Sequence, residues 1–398
     1  MSRRVAWTVG ILWLLALGAG TVGVVQRAVA GHGLAAYGSY VAWGLWVGIY
    51  FHSVGIAGGA YLFGVLHYLF ADRDPGATVR LRVVLLVALA SLVVGILAIW
   101  FDLGRMARAW RILVDPNFRS MMAFNAWMYV IFGVLTVAAF ALSYHRRSPW
   151  LRPLLLAGLP FAVAFPSQSG AFFGVVDAKP YWHTALFPVL FLMSALASGA
   201  AALTFVEGVA GPSIGPQGHP RRMEWLRRTL LATVLAYFVL EWSEISIAYW
   251  SPASEHRGGW NLVLFGPFWW TFWVVHLLLG GLVPLALLAF APRSRAWLTA
   301  AGGLVAASFV SVRLHVLIPG QALEQIEGIQ EAFHHWRLNR FYVATLHEYL
   351  VSLFLVAVGI GLVALGLRLL PKMTLRPLIA AAPAGERAPA RGTVQHGR

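Results

Sequence analysis

Residues 81–101 read LRVVLLVALASLVVGILAIWF and run straight into Asp102-Leu103-Gly104-Arg105. Past Arg82, the run holds no ionisable side chain until Asp102. A helix needs about 20 apolar residues to cross the hydrocarbon layer of a membrane, so this stretch is a transmembrane span. The whole chain repeats the pattern: of 398 residues, 59% are hydrophobic and only 11% charged. Soluble domains carry about a quarter charged residues, which excludes that class. Ten segments qualify as spans, at 5–25, 40–70, 81–101, 121–143, 151–173, 183–208, 227–250, 268–291, 296–318 and 346–370. The expected fold is an all-α integral membrane protein of about ten helices. Its transmembrane domain covers 1–370, and 371–398, rich in Ala, Pro and Arg, reads as a disordered tail. The second segment is too long for a straight crossing and is expected to tilt or project. The fifth contains Pro160 and Pro166 and is expected to kink or break.

Outside the spans, the charges set an orientation. With the N-terminus inside, the inner segments hold 19 Lys and Arg against nine in the outer loops. Both termini are then cytoplasmic. The formal charge of +15 follows from this topology rather than from nucleic-acid binding. Four of the outer cations, Arg105, Arg108, Arg111 and Arg119, fall in the one loop after residue 102 and break the positive-inside pattern locally. Near the N-terminus, Ser2-Arg3-Arg4, an apolar run and Ala28-Val29-Ala30 have the outline of a signal peptide. The run is as long as a full span, so an uncleaved first helix is expected.

Several side chains stand out against the apolar background. Trp43 to Tyr61 combines Gly48, Gly55, Gly58 and Gly59 with Tyr50 and His52. The glycines flatten a helix and admit a neighbouring helix or a flat ligand, close helix packing being the plainer reading. Polar groups within a span are costly and face a cavity or a partner. Tyr50 and His52 are therefore candidates to hydrogen-bond a carbonyl or hydroxyl of the kind a quinone head group carries. Other intramembrane ionisable residues are Glu207, Glu241, Glu244, His276, Arg313, His315, His347 and Glu348. Glu241 and Glu244 share a helix face. A buried carboxylate either holds a proton or is paired, for instance with Arg313, so the two read as a proton relay or as structural pairs. Thirteen histidines raise the question of b-type haem, yet His52, His183, His276, His315 and His347 show no repeated paired spacing. The chain has no cysteine, which excludes disulfides, thiolate catalysis and any iron–sulfur cluster or c-type haem held by its own thiolates.

Three stretches carry a resemblance. They are Trp43 to Tyr61; Phe101-Asp102-Leu103-Gly104-Arg105 with Asp115-Pro116-Asn117-Phe118-Arg119-Ser120; and Tyr181-Trp182-His183-Thr184 running into Phe187-Pro188-Val189-Leu190-Phe191 and Ser194 to Ala200. The second is the most specific. On these residues the chain resembles the NrfD/polysulfide-reductase membrane subunits, in their longer, roughly ten-helix branch, across about 35–290. A departure is His276, at a position where a carboxylate is commoner in that branch.

The resemblance implies a haem-free subunit that exchanges electrons between menaquinone or ubiquinone and a ferredoxin-like iron–sulfur subunit, itself linked to a catalytic subunit such as a molybdopterin enzyme or hydrogenase. It implies a quinone pocket at Tyr50, His52, Asp102 and Arg105, with Asn125, Trp127 and Tyr129 as second-line candidates. Asp102 with Arg105 would organise the pocket or form a loop salt bridge. Arg105, Arg108, Arg111 and Arg119 would dock the partner on the periplasmic side. Glu241, Glu244 and His276 would form a proton route. The rival readings are a di-haem cytochrome b quinol dehydrogenase, a secondary transporter and a passive anchor.

Overall fold

In a computed structural model the described residues are 3–379, apart from 73–75, 146–147, 217, 252–253, 292–293, 325, 327, 330 and 336–337. Among them there is no β-strand. All ten predicted spans are present as helices, which we number α1 (Trp7–Ala30), α2 (Leu45–Ala71), α3 (Ala77–Asp102), α4 (Met121–Leu142), α5 (Leu151–Gly174), α6 (Phe187–Ile214), α7 (His219–Trp250), α8 (Thr271–Phe290), α9 (Arg295–Ala322) and α10 (Leu346–Leu370). Arg73, Arg146, Arg147, Arg293 and Arg337 of the charge count lie outside the described residues. Of the predicted tail, 371–379 continue the last helix to Ile379, and 380–398 lie outside the described residues.

Two apolar cores share α2. One is built from α2, α3, α4 and α5 around Tyr61, Phe132 and Phe165. The other joins α2 to α5–α9 around Phe173, Phe191 and Phe309. The central helices are α6 and α9, whereas α1 is almost wholly exposed on its apolar face and packs mainly on α10. Gly20 and Gly23 let α1 lie against the Phe354, Leu350 and Val351 positions of α10.

Three departures from the predicted spans stand out, the first two with a physical cause. Residues 40–44 are not helical, because Gln321 of α9 takes their backbone: its Oε1 accepts from the amides of Ala42 and Trp43, each at 3.0 Å. The fifth span does not break at Pro160 or Pro166 but runs on as helix from Leu151 to Gly174. Pro166 has no N–H to give the Ala162 carbonyl, and α2 closes on that oxygen at Gly58, where a Cβ would lie 2.7 Å from it. The ninth span is longer than expected at its outer end and is interrupted at Phe309. A π-helical stretch, Thr271–Leu282, opens α8 and carries His276.

The glycines of α2 serve close packing, on three different neighbours. Gly58 faces α5, Gly48 faces Leu314 of α9, and a Cβ on Gly59 would collide with the Ala195 carbonyl of α6. Across that last contact, Gly199 of α6 meets the backbone of Gly59 and Ala60. Gly59→Ala should therefore destabilise the protein by about 1–3 kcal/mol through overpacking. Gly10→Ala should not destabilise it, since no atom lies within 4 Å of the added group and alanine is the better helix former. Thermal unfolding of both variants in the same detergent checks the contrast; equal midpoints would refute the packing role.

Candidate functional site

Asp102 ends α3 and is buried, 8% exposed. Its partner is not Arg105. Tyr37, in the segment between α1 and α2, donates its hydroxyl to Asp102 Oδ1 at 2.7 Å. Burial, then the Asp102 carboxylate, pushes the Tyr37 phenol well above its ordinary range, which keeps it a donor. The nearby cation is Arg27, the last basic residue of α1. Its Nε donates to Phe101 O at 2.7 Å and its Nη2 to Leu103 O at 2.8 Å, closing the carbonyl end of α3. A guanidinium suits that end because it satisfies orphan carbonyls and the negative pole of the helix dipole. The same Nη2 reaches His32 Nε2 at 3.1 Å. Burial, followed by the Arg27 charge, pushes His32 below the ordinary imidazole range.

A second buried acid adjoins this network. Glu348 of α10 accepts from the amides of Ala36 and Thr345, at 2.9 and 3.0 Å, and from the Tyr342 hydroxyl. Tyr342 stacks on Tyr37, and Trp46 of α2 lies edge-on to Tyr37 with centroids 5.9 Å apart. Two carboxylates, each held by a tyrosine, thus sit side by side beneath the loop end of the bundle.

One turn deeper on α2, Tyr50 enters a separate cluster. Its hydroxyl donates to Tyr129 OH at 2.8 Å, and Tyr129 also receives Asn125 Nδ2 at 2.8 Å. Ser169 of α5 completes the group, accepting from Asn125 at 3.1 Å. The sequence pattern pointed to Tyr50, Asn125 and Tyr129, and these converge; it gave no sign of Ser169. His52 points the other way, its Nε2–H donating to Ala306 O of α9 at 2.7 Å. Trp127 stays outside the cluster, near Phe118, with ring centroids 6.3 Å apart. Arg105, Arg108, Arg111 and Arg119 are all exposed, and no ion pair joins Arg105 to Asp102. The loop salt bridge, one of the two readings of this pair, is therefore corrected. Leu103 leaves α3 in an extended conformation, which carries Arg105 outward while Asp102 stays within the helix.

Arg313 of α9 is fully buried. Its Nη2 donates to Phe191 O at 3.1 Å, and its guanidinium lies over the Phe191 ring at 4.1 Å. No carboxylate pairs with it among the described residues, and its Nε and Nη1 have no hydrogen-bond partner. Glu241 pairs instead with His276, whose Nε2 lies 2.9 Å from Oε2, while Tyr237 donates to Oε1 at 2.7 Å. Glu244 does not join them; it accepts from Thr184 Oγ1 at 3.3 Å. The haem candidates are engaged elsewhere: His276 and His315 touch each other, with ring centroids 5.5 Å apart, leaving no room for a porphyrin between them.

A ten-helix membrane protein with tyrosine-held acids at one end is the class that fold and site define. Residues 34–324 match the family described as Polysulphide reductase, NrfD, and the chain belongs to it. The match includes α9, beyond the 35–290 over which the resemblance is closest. A selenate reductase subunit of Mesobacillus selenatarsenatis is 28% identical, over 88% of this chain and 91% of that one. Protein NrfD of Escherichia coli is 24% identical, over 71% and 95%. The Hdr-like menaquinol oxidoreductase integral membrane subunit of Archaeoglobus fulgidus is 25% identical, over 80% and 79%. The chain is thus similar to membrane subunits of oxidoreductase complexes.

Arg27 and Arg105 should behave oppositely. Arg27→Gln strips charge-assisted bonds from the end of α3 and should cost about 1.5–3 kcal/mol. Arg105→Gln should leave stability unchanged within about 0.5 kcal/mol. Chemical or thermal unfolding of the two variants side by side decides this, and an Arg105 effect as large as that of Arg27 would contradict the placement.

Proposed function

We propose that the chain passes electrons between the quinone pool and an iron–sulfur subunit bound at the Asp102 end of the bundle. That subunit would connect to a catalytic one, as in a molybdopterin reductase or a hydrogenase. The observation that carries this reading is the buried Tyr37–Asp102 bond lying directly beneath an exposed arginine-rich segment. Head-group chemistry and a basic docking face meet at one end of an otherwise apolar bundle. The positive-inside count makes that end periplasmic, in a bacterial inner membrane.

The residues suit a quinone. His52 Nδ1, Asn125 Oδ1 and Trp127 Nε1 are buried and have no protein partner among the described residues. Buried polar atoms are nearly always paired, so each of the three would bond a ligand oxygen that reached it; Asn125 belongs to the Tyr50–Tyr129 group, whereas His52 and Trp127 lie outside it. A bound menaquinone or ubiquinone would supply the two-electron, two-proton redox chemistry that no side chain here carries. Because His52 gives its Nε2–H to Ala306 O, its Nδ1 is left as an acceptor for a hydroxyl proton. Tyr50 and Tyr129 orient by their hydroxyls, with Asn125 and Ser169 fixing Tyr129. Asp102 is the carboxylate placed to exchange protons at the membrane edge. The arginines from Arg105 to Arg119 hold the partner by charge complementarity and set its orientation. The lack of cysteine fits, since the electron path out of the membrane has to be another chain's. Tyr237, Glu241 and His276 form the start of a proton route through the second half.

Quinol-driven turnover of the intact purified complex tests the site. Asp102→Asn, and Tyr50→Phe with His52→Ala, should each lower it about 100-fold, the scale of lost acid–base catalysis, while partner subunits still co-purify. Unchanged turnover in both would remove the pocket. Arg108→Glu with Arg111→Glu should release the partner at salt concentrations that the wild-type complex withstands; normal assembly would remove the docking role.

A further inference from the structure

The end of the bundle opposite Asp102 carries a basic groove that the proposed electron transfer does not use. We infer that this groove, between the first turns of α7 and α9, binds the headgroup of an anionic phospholipid. Depth comes first. Helix α7 has 32 residues and its first ten, His219 to Arg228, are mostly polar. The remainder, at about 1.5 Å per residue, spans about 33 Å, close to the hydrocarbon thickness of a bilayer. Arg227 and Arg228 therefore sit in the headgroup layer. So does Arg295, the first residue of α9, two positions before the exposed Trp297. Tryptophan marks that layer.

The walls come next. The groove holds about 680 Å³ and is lined by His219, Met223, Glu224, Arg227, Arg228 and Arg295. It continues past Pro220 into a second hollow of about 430 Å³, with Arg221 and Trp225. Four guanidinium groups face one carboxylate. Glu224 is spent on orienting two of them: it accepts from Arg227 Nε at 2.7 Å, Arg227 Nη2 at 2.9 Å and Arg228 Nε at 2.6 Å. Arg227 is further fixed by donating Nη1 to Leu288 O at 3.0 Å, and Arg295 by donating Nε to Gly208 O at 2.6 Å. Arg228 lines both hollows and is exposed. His219 donates Nδ1 to Glu207 at 2.8 Å, while its Nε2 is buried with no hydrogen-bond partner among the described residues.

A positive-inside bias alone scatters cations; here they converge from two helices on one hollow and are held in place. Phosphate is the group that arginines in such an array recognise. Leu298, about one turn deeper on α9 than Arg295, gives the groove an apolar inner wall, on the side where a lipid's acyl chains lie. That favours a diacyl phosphodiester over a soluble phosphate.

The test is thermal unfolding and native mass spectrometry of the delipidated membrane complex. Phosphatidylglycerol should be retained and should raise the unfolding midpoint, whereas phosphatidylcholine and inorganic phosphate at equal concentration should not. R221Q/R228Q should lose the retained lipid and the shift, and R221K/R228K should keep much of both. Both arginines are exposed, so the glutamine variant should unfold at the wild-type midpoint in phosphatidylcholine, and quinol-driven turnover reports separately on the other end. Undiminished phosphatidylglycerol retention by R221Q/R228Q would overturn the inference. An equal shift with inorganic phosphate or with phosphatidylcholine would overturn it as well.

Discussion

The contact on which the architecture depends is the meeting of two backbones, α2 and α6, at Gly59 and Gly199. In lipid, helices gain little from hiding apolar surface, because the acyl chains are as apolar as leucine. Association has to come from close van der Waals contact, which small residues permit. Gly59 lies against the Ala195 carbonyl, and Gly199 against Gly59 and Ala60. This contact joins the two apolar cores through one shared helix. It also fixes the rotation of α2. With that face turned to α6, Tyr50 looks toward α4 and His52 toward α9, so the two neighbours in sequence serve different halves of the protein.

The second constraint is that helix ends must be closed where water is scarce. Arginine does this repeatedly. Arg27 closes α3, Arg82 donates to Ser143 O beyond α4, Arg222 to Gly215 O beyond α6, and Arg227 to Leu288 O near the end of α8. Each sits at a carbonyl end, where the helix dipole and the orphan oxygens both favour a cation. Three of these ends are on the side the charge count calls inner, and one, at Arg27, is on the outer side. A positive-inside count treats all of them as topology signals. The outer exception at Arg27 is a buried cap, which separates it from the exposed cluster at Arg105 to Arg119.

These two constraints explain what could be read in the chain. The spans were legible because an apolar run of bilayer length needs no partner to declare itself; LRVVLLVALASLVVGILAIWF is a helix wherever it packs. Family membership was legible because Phe101 to Arg105 is distinctive as a local string. Pairings were not legible. Asp102 and Arg105 looked like partners because they are three residues apart, but the helix ends between them and sends one inward and one outward. The true partner, Tyr37, lies in a segment with no periodicity to place it. The convergence of Tyr50, Asn125 and Tyr129 was reachable, since all three are polar and lie in the outer halves of apolar spans. Ser169 was not, because serine is unremarkable in a membrane helix. Pairing of a carboxylate with Arg313 was one of two open readings; Glu241 meets His276 and Glu244 meets Thr184 instead, which no spacing rule in the sequence foretells.

Arg313 then acquires a meaning that composition could not supply. Its guanidinium lies within electrostatic reach of Tyr129, of His52 and of Tyr237. An isolated guanidinium in a low-dielectric interior is expensive, and Phe191 alone, through one carbonyl and one ring, compensates it weakly. Charges also act over longer distances there than in water. The two halves of the bundle, packed as separate cores, are not electrostatically separate. Arg313 of α9 bonds Phe191 O of α6 and lies against Gly55 of α2, so one buried guanidinium stands where the helices of both cores meet.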